Sequence, residues 1–66
     1  MAVLIETYII NDFGESVPTV FATEHIVNIT PMRNNEYRCI VHTDDGKAYI
    51  VDESYENILS TWKGNV

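Results

Sequence analysis

The chain opens on a run in which apolar residues fill both alternating sets of positions. Val3, Ile5, Thr7 and Ile9 fall on one side of an extended backbone, and Ala2, Leu4, Glu6, Tyr8 and Ile10 on the other. The β-branched and aromatic content predicts a strand over about 2–10. Two largely apolar sides predict that it is covered on both faces. Asn11-Asp12-Phe13-Gly14-Glu15-Ser16 has turn composition, and Phe13 is expected to fold back onto the core. Four more strands are predicted at about 17–22, 26–30, 37–43 and 47–51. Pro18 suits a strand start or an edge, and Pro31 should stop the third strand or push it to an edge. Between them, Thr23-Glu24-His25 predicts a single capped helical turn.

Arg33-Asn34-Asn35-Glu36 reads as a polar hairpin connection, and Asp44-Asp45-Gly46 is the clearest turn signal in the chain. After it the period lengthens. Tyr55, Ile58, Leu59 and Trp62 stand at i, i+3, i+4 and i+7, which gathers them on one side of a helix over about 54–63. Asp52 or Ser54 can cap it, and Glu53 and Glu56 suit the positive end of its dipole. The order β-β-β-β-β-α with short connections favours antiparallel neighbours. The predicted fold is α+β in a single domain, 1–66. It is a curled five-stranded antiparallel sheet, or a partly open small β-barrel of the SH3 or Sm kind, with a C-terminal helix.

Charge narrows the function classes. Ten acidic residues stand against four basic ones, a formal charge of -6. The cations Arg33, Arg38, Lys47 and Lys63 are scattered, whereas a nucleic-acid backbone or an anionic membrane calls for clustered ones. Charge therefore disfavours nucleic acid as a partner, and a basic protein fits better. No apolar run approaches the ~20 residues that span a bilayer. The N-terminus lacks the basic start and long apolar stretch of a secretion signal. Cys39 is the single cysteine, which fits a reducing compartment, so a cytoplasmic protein is expected.

Candidate chemistry is sparse. Cys39 and His42 have the residue types of soft metal ligands, but three residues apart on a strand they point to opposite faces. Cys39 is better read as a core residue. Asp44 and Asp45 beside Gly46 lack the twelve-residue frame and flanking helices of a calcium loop. Ser54, His42 and Asp52 include the residue types of a catalytic triad, yet a domain this small has little volume for a cleft beside a core. No catalytic residue, metal ligand or cofactor is assigned, and the expectation is a protein that is not an enzyme.

The aromatic set Tyr8, Tyr37, Tyr49, Tyr55 and Trp62 is large for the length and suits interface anchors. Tyr37 and Tyr49 fall on adjacent strands of one hairpin and could share a face. A chain of 66 residues hides only about 60% of its unfolded surface. With a first strand apolar on both sides, a second copy or another protein is expected to supply the missing cover.

Three stretches carry a family resemblance. They are Ala22-Thr23-Glu24-His25-Ile26-Val27-Asn28-Ile29-Thr30-Pro31, then Val41 to Ser54, then Ile58. The first places Ile26 and Ile29 after a polar turn. The second contains Thr43-Asp44-Asp45-Gly46-Lys47-Ala48-Tyr49-Ile50-Val51, a T-x-x-G-K-x-Y-x-V hairpin, and the helix start Glu53-Ser54. Together they resemble the small FlbD-type flagellar (swarming motility) proteins, with a looser likeness to the LytTR domain. The resemblance implies a small non-enzymatic β module that acts through protein contacts.

The expected function is thus an acidic, self-associating interaction or adaptor module. Its candidate partner-binding residues are Asp44, Asp45, Asp52, Glu53 and Glu56. The alternative is a small-molecule or nucleotide binder whose pocket forms between subunits, lined by Tyr37, Arg38, His42 and Tyr49.

Overall fold

A computed structural model describes residues 3–64, so the predicted start of the first strand at Ala2 lies outside the described residues. Five strands, β1 (Leu4–Ile10), β2 (Ser16–Ala22), β3 (Ile26–Met32), β4 (Asn35–Thr43) and β5 (Ala48–Val51), precede one helix, α1 (Tyr55–Gly64). A 3-10 turn, Thr23–His25, joins β2 to β3. The strands form one antiparallel sheet in the order β2-β1-β5-β4-β3. The fold is α+β with a curled sheet.

Two hairpins are built alike. The Asn11 N–H donates to the Glu15 carbonyl at 2.9 Å, and the Thr43 N–H to the Lys47 carbonyl at 3.0 Å. Each pair closes a three-residue loop, Asp12-Phe13-Gly14 or Asp44-Asp45-Gly46, whose glycine has a positive φ of 77° or 84°. That is the turn-plus-bulge geometry typical of three-residue hairpin loops. Side chains reinforce it. Asn11 Oδ1 accepts from the Phe13 and Glu15 amides, and Asp45 Oδ1 accepts from the Lys47 amide and the Thr43 hydroxyl. Phe13 therefore sits at a hairpin tip and is 87% exposed, not folded onto the core. The geometry of the turn overrides the apolar character of the side chain.

The phase of these hydrogen bonds sets the rest of the sheet. Counting back from Asn11 and Glu15, every second residue of β1 faces β2, which leaves the Tyr8 carbonyl turned the other way. It accepts the Asp52 N–H at 2.8 Å, extending the Ile9–Val51 and Ile10–Ile50 pairs that join β1 to β5. In the same phase Pro18, opposite Tyr8, turns its missing donor to the outer edge of β2, where no ladder bond is lost. Pro31 likewise lies on an edge strand, so β3 runs on to Met32 instead of stopping at 30. Beside it β4 starts at Asn35, and the predicted four-residue connection shrinks to Arg33 and Asn34.

The inner face of the curl holds the core: Ile5, Phe21, Ile26, Ile29, Cys39, Val41, Val51 and Ile58. Ile9, Tyr49, Tyr55 and Trp62 pack around it. Helix α1 lies against β3 and β4 and buries Ile58 from its apolar stripe. Ser54 caps it, its hydroxyl accepting the Asn57 N–H at 3.2 Å, while Asp52 is used elsewhere. Cover is one-sided. Ile5 and Thr7 of β1 are buried, but the alternate residues Leu4 and Tyr8 are open, so the expectation of cover on both faces is not met within the chain. One short helix reaches only the β3–β4 end of one face.

Candidate functional site

Register places a continuous row across the uncovered face. Ser16 of β2 pairs with Ile10, Ile10 with Ile50 of β5, Ile50 with Ile40 of β4, and Ile40 with Thr30 of β3. Leu4, Tyr8 and Val20 extend this apolar row along β1 and β2. They are 56%, 52% and 53% exposed. Glu6 and Arg38 are the charged strand residues on this face, and Arg38 Nε donates to Asp52 Oδ1 at 3.2 Å. The face thus carries an apolar strip, Ile10, Ile50 and Ile40 with Leu4, Tyr8 and Val20, among the polar residues Ser16, Thr30 and His42, and it is nearly neutral on a chain of charge -6. The strands here are mostly seven residues long and about 4.8 Å apart, so the face is on the order of 500 Å².

The five acidic candidates do not form one patch. Asp44 and Asp45 sit at the β4–β5 tip, and Asp52, Glu53 and Glu56 beyond the opposite end of β5. Several have internal work. Asp44 Oδ2 lies 2.9 Å from His25 Nδ1, and this bond, with the attraction between the charges, raises the His25 pKa. The hydroxyl of Thr43 and the amide of Lys47 hold Asp45 below the usual carboxylate range. Glu53 accepts from the buried Thr7 hydroxyl at 2.8 Å and also from Asn57, tying β1 to the start of α1.

The alternative set divides too. Tyr37 is 73% exposed, whereas Tyr49 packs edge to face on Phe21. Tyr49 pairs with Val41, four residues from Tyr37, and Tyr37 lies where the register of β4 against β3 shifts between Cys39 and Asn35. Arg38 and His42 belong to the outer series, His42 Nε2 standing 3.2 Å from the Thr30 hydroxyl oxygen. The four residues therefore do not meet in one pocket of a single chain. Tyr37 and Arg38 do meet in a groove of about 480 Å³ with Pro31, Met32, Glu36, Ser54, Tyr55 and Glu56.

Ser54, His42 and Asp52 are likewise apart in function: a helix cap, a partner of Thr30 and a partner of Arg38. The Cys39 thiol is fully buried, and burial pushes its pKa up to about 11. No helix among the described residues is long and apolar enough to cross a membrane. No family model matches the chain, and neither a curated protein nor a solved structure matches it.

Sequence reasoning singled out Tyr8 but missed Leu4, Val20 and Ile50 as surface residues. The signal was present in the alternation of β1. It lacked the knowledge of which face the single helix would cover. Glu36 was hidden as one more polar residue in a presumed loop.

Proposed function

We propose that this protein is a non-enzymatic interaction module that self-associates through the open face of its sheet. The observation that carries the proposal is the exposed apolar set Leu4, Tyr8, Val20 and Ile50 on a face whose charged strand residues are Glu6 and Arg38, the latter paired with Asp52. Contiguous exposed apolar surface of this kind marks a contact site. The charge distribution favours a second copy as the occupant. Two chains of charge -6 repel at most approaches, and they can meet most cheaply where neither carries a surplus of acid. Two faces on the order of 500 Å² bury roughly 1,000 Å², the lower end of a specific interface. Engagement of Ser54, Asp52 and His42 in separate structural contacts supports the non-enzymatic part. A cytoplasmic setting is part of the proposal, on the strength of one buried thiol and no second cysteine.

Sedimentation equilibrium tests it with the wild-type chain and Leu4→Glu. The wild type should be dimeric at tens of micromolar, and Leu4→Glu monomeric with an unchanged far-UV spectrum. A monomeric wild type in that range would refute self-association.

A further inference from the structure

The groove at the start of α1 is separate from the apolar row across the sheet. Pro31, Met32, Tyr37 and Tyr55 supply its apolar and aromatic walls, and Glu36 and Glu56 add two carboxylates. Its volume of about 480 Å³ lies within the usual range for ligand pockets. The one cation in it, Arg38, is already held by Asp52. Among the described residues, Glu36 and Glu56 take part in no ion pair. An exposed tyrosine face and two uncommitted carboxylates around one concave surface form a receptor that lacks its cation.

We propose that this groove docks an arginine-bearing, extended segment of a basic protein, the guanidinium lying on Tyr37 and donating to Glu36 and Glu56. Arginine fits better than lysine. Its planar, weakly hydrated head can stack on an aromatic ring while its edge donates to carboxylates. The surplus of acid draws such a segment in from a distance. The same carboxylates repel phosphates, so a nucleotide is a poor occupant. A second copy is poorly matched as well: its exposed Phe13 follows Asp12 and stands two residues before Glu15. The inference rests on reading the chain as an interaction module, but not on its self-association.

The test is an amide chemical-shift titration of the full ¹⁵N-labelled chain with a decapeptide of alternating proline and arginine. Proline keeps the probe extended. Parallel arms use lysine, or the neutral isostere citrulline, in place of arginine. Shifts should cluster at residues 32–38 and 54–57. Affinity should fall several-fold with lysine and vanish with citrulline. Tyr37→Ala, and separately Glu36→Gln with Glu56→Gln, should each weaken binding about tenfold. Tyr37 is largely exposed, so its removal should leave the fold intact, which far-UV dichroism checks. Absence of shifts at millimolar peptide, equal binding by Tyr37→Ala, or shifts spread to Asp44 and Asp45 would overturn the proposal. Sedimentation of the same samples separates the two readings. A monomer that binds the arginine peptide removes self-association alone, and a dimer that ignores it removes the groove alone.

Discussion

Phe21 and Tyr49 meet edge to face, with ring centroids 5.4 Å apart and planes at 66°, although they come from β2 and β5, which are not neighbours in the sheet. The contact exists because the sheet curls and brings the β1–β2 hairpin over the inner face of β5. A double-mutant cycle with Phe21→Leu and Tyr49→Leu should show a coupling of about 0.5–1.5 kcal/mol in urea unfolding. Additive effects would mean that the two strands do not approach in solution.

The pair His25–Asp44 gives stability a definite pH dependence. The folded-state pKa of His25 is raised above 6.5, first by the hydrogen bond to Asp44, then by its charge and those of Glu24 and Asp45. Its contribution is therefore fully present below about 6.5 and is lost as pH rises through the folded value. The urea midpoint should fall as pH rises from 6 through the folded value, and His25→Gln should flatten that limb. Asp45 acts oppositely. Its lowered pKa contributes stability above the usual carboxylate range, lost as pH falls through the folded value.

Cys39 should be chemically silent in the folded chain. It is buried, with a pKa of about 11, so little thiolate exists at pH 8. A disulfide-exchange reagent should react only at the rate of unfolding and promptly in urea. Cys39→Ser should destabilise by about 1–3 kcal/mol, because the hydroxyl would be buried in an apolar core.

The two hairpin tips should separate backbone from side-chain effects. Nothing lies within 4 Å of a Cβ built at Gly46, so Gly46→Ala is opposed by its φ of 84° alone. Its cost should be about 1 kcal/mol or somewhat more. Phe13→Ser, which changes an exposed side chain and leaves Gly14 in place, should alter stability by no more than about 0.5 kcal/mol. Urea midpoints of the two variants measure both.

Much of the fold was readable from local pattern. The β-branched and aromatic run through residues 3–10, the Asp45-Gly46 turn and the Tyr55–Trp62 stripe each specify an element by themselves. The order of five strands and a helix follows. What was not readable depends on where elements lie relative to one another. Asp52 and Ser54 could each cap the helix; its start at Tyr55 gives the cap to Ser54, and Asp52 instead pairs with Arg38, fourteen residues away. Glu53 reads as a surface acid until the register of β1 against β5 places buried Thr7 opposite it. Phe13 reads as core because composition outweighs turn geometry in a linear reading.

Salt should strengthen the assembly. Between about 0.01 M and 0.15 M salt the screening length falls from about 30 Å to about 8 Å, which weakens repulsion between two acidic chains but not apolar contact. The dimer dissociation constant should therefore fall several-fold over that range. A basic partner at the Tyr37 groove should bind more weakly over the same range, so the two contacts are told apart by the sign of the salt effect.

The most direct measurement is an isotope-filtered nuclear Overhauser experiment on an equal mixture of labelled and unlabelled chains. The account predicts intermolecular contacts among the Leu4, Val20 and Ile50 methyl groups and the Tyr8 ring. Intermolecular contacts confined to other surfaces, or none at millimolar protein, would contradict it.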